Sequence, residues 1–328
     1  MKFAVRHIIT IVLVLAICDV TNAQQLPLYT QYMNNGFLLN PAMSGYDGYT
    51  SLNLTARKDW VGFKGAPLTY SFSAQTRLMQ QGHKIISRRI GNNRLRSRTK
   101  GRVGLGGYVF NDVNGAISRT GVNVSYAYHI YMYKSQLSLG LAGQFFQFKI
   151  GDSLTYFNPS DPLIGTGYQS VAYIPDANFG VFWTSRNWFA GLSANQLFQS
   201  VARLGSGDLG NLKMYRHYYA MAGYRFINEH SGFDFEPSFL VKASSRVTPQ
   251  ADMTLKVYYK TDYWAGMSYR TSGSFSAMFG VKADKLYLGY AIDFALSSIR
   301  KYSFGSHEVL LSVKFGSNER RYRWLNRY

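Results

Sequence analysis

One cysteine and eight prolines are spread over 328 residues, and only 16% of the chain is charged. A lone cysteine excludes a disulfide-stapled scaffold. The scarcity of charge, against about a quarter of residues in an ordinary soluble domain, argues against a water-soluble globule. Beyond residue 23 no stretch approaches the ~18 consecutive apolar residues that a spanning helix requires, so a helical membrane protein is excluded too. Glycine has no fixed period and hydrophobic residues make up 46% of the chain, which removes collagen and intrinsic disorder. Acids are few: 17 Asp and Glu face 36 Lys and Arg, for a formal charge of +19. What the chain has in excess is 26 Tyr, 22 Phe and 31 Gly. Amphipathic rings in such numbers suit a membrane–water interface.

The first 23 residues set the compartment. Lys2 and Arg6 precede an apolar core from Ile8 to Ile17, and Thr21, Asn22 and Ala23 place small residues where a signal peptidase cleaves. Ile17 before Cys18 is too bulky for a lipoprotein signal, so cleavage is expected after Ala23, with 1–23 an export signal. Losing Lys2, Arg6 and Asp19 takes the formal charge from +19 to +18.

From Thr50 the hydrophobic period is two, the signature of strands. Leu52, Leu54 and Ala56 alternate with Asn53, Thr55 and Arg57; Tyr70, Phe72 and Ala74 alternate with Ser71, Ser73 and Gln75. The pattern returns through Val309, Leu311, Val313 and Phe315, for fourteen candidate strands. Connections after even strands are mostly tiny, as at 133–135, 185–187, 261–262 and 283–285. Several after odd strands are long: 150–173, 197–215 and 295–306. Short turns on one side and long loops on the other, with an even strand number, describe an outer-membrane β-barrel. The expected fold is therefore all-β: a single transmembrane barrel of about 14 antiparallel strands over 50–315, preceded by an N-terminal segment at 24–49 that could plug the lumen and followed by a basic tail at 316–328. Both termini and the short turns are expected on the periplasmic side. Small residues on one face of several strands (Gly104, Gly106, Gly140, Ala142, Gly180, Gly191) fit an interior crowded by something. Trp183, Trp188, Trp264, Tyr263, Tyr131 and Tyr133 flank short turns and are read as an aromatic girdle.

Catalysis finds little support. His83, His129, His217, His230 and His307 show no metal-ligand spacing, and no Gly-x-Ser-x-Gly turn is present. His129 lies on the small-residue face, where it would line the lumen. No catalytic, cofactor or metal site is expected, and an exported chain is not expected to meet nucleic acid. One connection breaks the rule of short turns: 77–102 runs with nine basic residues and no acid. Its Lys84, Arg88, Arg89, Arg94, Arg96, Arg98 and Lys100, with Arg320, Arg321 and Arg323 of the tail, are candidate contacts for an acidic periplasmic partner.

The text before the first strand is of another kind. Gln31-Tyr32-Met33 is followed by Asn40-Pro41-Ala42 and Gly45, and then Arg57-Lys58-Asp59-Trp60 matches an Arg-x-x-Trp motif. These residues, with Pro67 to Ser71 and Gly104-Leu105-Gly106, resemble the PorP/SprF family of the type IX secretion system over 24–315. The resemblance implies a non-enzymatic outer-membrane component that assists secretion or surface attachment of specific cargo proteins, gliding adhesins among them. Its partners would be the translocon and periplasmic components associated with the cell wall. A channel for a small or hydrophobic solute is the alternative.

Overall fold

The period-two text folds into strands throughout. The computed structural model describes residues 29–78, 101–132, 134–150, 171–203, 211–228, 230–245 and 247–316. The strands are β1 (Thr50–Lys58), β2 (Leu68–Leu78), β3 (Val103–Asn114), β4 (Ile117–Met132), β5 (Ser135–Ile150), β6 (Val171–Ser185) and β7 (Trp188–Asn195). A small hairpin of β8 (Val201–Arg203) and β9 (Asn211–Lys213) follows, then β10 (His217–Tyr224), β11 (Phe233–Ser244) and β12 (Val247–Tyr259). The chain finishes with β13 (Tyr263–Arg270), β14 (Ser274–Ala283), β15 (Leu286–Ala295) and β16 (Ser306–Phe315). All but β8 and β9 form one closed antiparallel barrel, with neighbours in chain order. Closure is made by β1 on β16, in register from Thr50 opposite Phe315 to Lys58 opposite His307. A closed barrel leaves no strand edge unpaired, the condition for β-structure in lipid.

On strands such as β1 the two faces are sorted in the reverse of a soluble protein. Ser51, Asn53, Thr55 and Arg57 of β1 are buried inside, whereas Leu54 is exposed outside. Val124 is 65% exposed and Met267 62%, both on the outward face, while Ser73, Gln136, Ser138 and Glu236 are fully enclosed. An apolar exterior, with polar and charged side chains kept to the inside, is the arrangement a bilayer selects.

Strand β6 starts earlier than alternation suggested, because Pro175-Asp176 interrupts the pattern. Proline is tolerated there because β6 pairs with β7 only from Phe179 onward. Residue 175 therefore has a partner strand on one side, Phe145 of β5, and its missing N–H falls where no ladder bond is required.

Two members of the expected aromatic girdle, Trp264 and Tyr131, face the lumen instead. Trp183 and Tyr263 are exposed on the outward surface, and Trp188 meets Trp183 edge-on with ring centroids 5.0 Å apart. Trp264, by contrast, is 8% exposed and lies inside under the Lys256 ammonium, 4.1 Å from the ring centroid. Tyr131 also points inward, its hydroxyl donating to the Gly101 carbonyl at 2.6 Å. The reason is parity: Tyr263 and Trp264 are consecutive in a strand, and consecutive side chains take opposite faces. Tyr133 lies outside the described residues. In single-tryptophan variants, a lipid carrying brominated acyl chains is expected to quench Trp183 strongly and Trp264 weakly. Equal quenching would place both indoles in lipid.

Candidate functional site

Residues 29–49 occupy the space inside the barrel. They form no long helix, only two short 3-10 turns at Gly36–Leu38 and Pro41–Met43. Asn40 starts the second, accepting from the Ala42 amide at 2.9 Å, and Pro41 at the first helical position suits a turn whose first N–H has no partner. Beyond that local cap, Asn40 Nδ2 donates to the carbonyls of Val181 (3.0 Å) and Leu192 (3.2 Å), so it is bonded to β6 and β7 together. Ser193 Oγ donates to the Leu39 carbonyl at 2.7 Å, and Ser44 Oγ meets Ser125 Oγ at 2.7 Å. Tyr32, Met33, Phe37, Leu39 and Met43 then pack with Phe182, Phe189, Tyr219, Met221 and Leu240 of the wall, giving the barrel its internal apolar core.

Glycines let the segment come this close. A Cβ on Gly104 would overlap the Ser44 carbonyl, one on Gly140 the backbone of Ala42, and one on Gly180 the Asn40 side chain. Gly45 has φ +63° and its own Cβ would meet the Thr76 backbone, so only glycine fits that bend. The motif residues Gln31, Tyr32, Met33, Asn40, Pro41, Ala42 and Gly45 thus all lie inside the barrel, buried against the inner wall.

At the short-turn end, Arg77 Nη2 donates to the Tyr46 carbonyl at 2.6 Å and Nη1 to the Tyr131 hydroxyl at 2.7 Å. This basic residue is committed to the lumen and does not belong to a free charged face. Lys84, Arg88, Arg89, Arg94, Arg96, Arg98, Lys100, Arg320, Arg321 and Arg323 lie outside the described residues, as do 1–28. Arg102 is exposed, with Nη1 3.3 Å from the Tyr128 hydroxyl.

At the long-loop end the segment is held by charge. Glu308 of β16 accepts from the amides of Thr30 (2.7 Å) and Gln31 (3.0 Å) through its two oxygens. Asp293 of β15 accepts from the Thr30 hydroxyl at 2.7 Å. Arg57 of β1 ties these together, reaching Asp293 at 2.6 Å, Glu308 at 3.1 Å, Asp59 at 2.7 Å and the Thr30 hydroxyl at 2.8 Å. Each carboxylate is thereby paired and hydrogen-bonded, as burial of charge demands. A second group on the same inner face pairs Asp252 with Lys242 (2.8 Å) and Arg270 (2.9 Å). Sequence reasoning selected Arg57 but missed Thr30, Asp293, Glu308 and Asp252. The available signal was that acids are few and these three sit within alternating strands, on the polar face.

The expected periplasmic position of the mature N-terminus falls outside the described residues, but the path of the segment that follows is clear. Thr50 opens β1 at the short-turn end, but the preceding residues run the length of the lumen, so Thr30 lies beside Arg57 at the opposite end. Above that clasp is a vestibule of about 880 Å³, whose lining includes Trp60, Arg119, Arg270, Arg300 and Phe304. A separate space of about 50 Å³ lies between Tyr29, Leu38 and Leu39 and the wall residues Tyr108, Phe110 and Phe146.

His129 does line the lumen, with Nδ1 2.8 Å from Ser138 Oγ and Nε2 3.1 Å from the Ser44 carbonyl. Both side chains are fully enclosed. Among the described residues no group of three His, Cys, Asp or Glu side chains could hold a metal ion.

Comparison with solved structures returns outer-membrane barrels. The Ralstonia pickettii toluene transporter TbuX superposes with a TM-score of 0.50 at 11% identity, covering 85% of this chain and 92% of that one. Outer membrane protein Omp33 of Acinetobacter baumannii gives a TM-score of 0.44 at 6% identity, covering 83% of this chain and 100% of that chain. No curated protein matches the sequence. The model of the type IX secretion system membrane protein PorP/SprF matches residues 21–313, nearly the whole chain, including the residues that fill the lumen and the Arg57 clasp. The chain therefore belongs to the PorP/SprF family of type IX secretion system membrane proteins, and it is an outer-membrane β-barrel.

Proposed function

We propose that this barrel is a permanently plugged docking component of the secretion system, which assists export or surface attachment of particular cargo and conducts nothing itself. The observation that carries this reading is the filled lumen: residues 29–49 are bonded to the wall at both ends and along their length. The long connections between β5 and β6 and between β7 and β10 would face the cell exterior and meet exported protein. The short-turn end would face the periplasm, where the basic 77–102 connection and the tail suit an acidic partner. Catalysis has no support in the reading, since the Ser138–His129 pair found in the lumen among the described residues is fully enclosed, with His129 also bonded to the Ser44 carbonyl of the plug.

The solute-transporter alternative draws on the aromatic walls of the small space beside Tyr29. At about 50 Å³ that space is a third of the ~150 Å³ cavity known to admit benzene, so it suits a few waters and not an aromatic solute. Affinity purification from the native outer membrane tests the choice. The translocon, a cell-wall-associated partner and an exported protein are expected to travel with the barrel. A barrel recovered alone that passes steady current in a planar bilayer would overturn the docking reading.

A further inference from the structure

The vestibule above the clasp has features that closing the lumen does not require. Trp60 has φ +43°, a left-handed conformation that is an outlier for so bulky a residue. It is held there from both sides: its amide donates to Ser306 Oγ at 3.2 Å, the neighbouring Val61 amide to the Gly305 carbonyl at 2.8 Å, and the Phe304 amide back to the Val61 carbonyl at 2.8 Å. The loops after β1 and β15 are thus locked together, and the result is that an indole is presented to the cavity. Phe304, on the same rim, is 79% exposed. These rings line a cavity at the loop end and are not part of the lipid-facing belt.

Charge on the rim is unbalanced. On the vestibule floor Arg57, Arg119 and Arg270 are each paired with a carboxylate. Arg300 and Lys301, in the 3-10 turn Ser298–Lys301, line the same cavity and make no ion pair among the described residues. A ring held in a strained loop, a second exposed ring and two cations awaiting counter-charge form the aromatic-plus-arginine composition of a protein-binding hot spot. The strongest polar groups on the floor, Arg57, Arg119 and Arg270 with their carboxylates, are already committed to one another.

We propose that the vestibule seats an extended acidic segment of an exported polypeptide, with an apolar side chain against Trp60 and carboxylates on Arg300 and Lys301. This rests on the docking reading above. The clasp makes the cavity a dead end, so a segment entering it is held and does not pass through.

The test uses the full barrel in detergent micelles and a short labelled peptide alternating aspartate with phenylalanine, with a lysine–phenylalanine peptide of equal length beside it. The acidic peptide is expected to bind and the basic one not. Trp60→Gly removes the ring and relaxes the backbone, so it should fold, and it is expected to weaken binding about 30-fold, the loss typical of a truncated aromatic hot spot. Arg300→Glu with Lys301→Glu is expected to transfer the preference to the lysine peptide. Equal binding of both peptides, unchanged affinity in the variants, or displacement by lipopolysaccharide would overturn the proposal. Exported protein that still co-purifies with Trp60→Gly as with the wild type would remove the vestibule and leave the docking reading; no exported protein with the wild type would remove both.

Discussion

Arg57→Ala is expected to destabilise the plugged barrel by about 3–5 kcal/mol, the usual consequence of deleting one partner from a buried ionic group. The guanidinium is 3% exposed and answers Asp293, Glu308 and Asp59. Without it, two enclosed carboxylates remain within reach of each other, hydrogen-bonded by the amides of Thr30 and Gln31 and the Thr30 hydroxyl but with no directly bonded cation. Asp59 is 21% exposed and is screened by water, so the cost falls mainly on the other two. Urea unfolding in detergent micelles measures the loss. A second variant separates charge from packing: Arg57→Ala combined with Asp293→Asn and Glu308→Gln leaves no buried charge at the clasp and is expected to recover part of the stability. An unfolding midpoint for Arg57→Ala equal to that of the wild type would mean that the guanidinium does not hold this end together.

The largest functional effect is expected from the glycine cradle. In Gly104→Ala combined with Gly140→Ala and Gly180→Ala, three methyl groups would occupy space now held by Ser44, Ala42 and Asn40. The wall cannot withdraw without breaking strand-to-strand hydrogen bonds on both sides, whereas the segment inside is held by side-chain bonds and packing and by no ladder of its own. Overpacking costs about 1–3 kcal/mol per site, and three neighbouring sites act on a single stretch of chain. The plug is expected to leave its seat, so that a barrel silent in a planar bilayer begins to conduct and residues 29–49 become open to protease. Gly143→Ala is the control: it lies on the outward face of β5 with nothing within 4 Å of the added carbon. A silent, protease-resistant triple variant would show that the close approach of plug and wall is dispensable.

Both effects turn on contacts of very different legibility. The strands could be read one after another because their signal is local: every second side chain is apolar, and that period survives whatever the strand pairs with. The same rule, applied to Tyr263-Trp264 or to His129 and Tyr131, separates inward from outward rings, and the girdle reading failed where closeness to a turn was preferred to parity. The tiny residues at Gly104, Gly140 and Gly180 signalled that the interior was crowded. They did not identify the occupant, because a missing Cβ records how near a neighbour comes and not which neighbour it is.

The clasp was beyond reach for a related reason. Arg57 and Asp293 are separated by 236 positions, and Thr30 and Glu308 by 278. Nothing local in either partner encodes the pairing. Only closure of β1 against β16, and the register it imposes, brings them to one level of the lumen.

The amino-acid sequence by itself determined that the chain is a lipid-facing barrel of fourteen strands and that its opening text belongs to a secretion family, because periodicity, turn length and short motifs are properties of neighbours along the chain. The tertiary structure alone decided that residues 29–49 run inside the barrel from one end to the other, which carboxylates hold them, and that Trp60 overlooks a cavity. Those outcomes depend on barrel closure, which sets distances between residues that the chain keeps hundreds of positions apart.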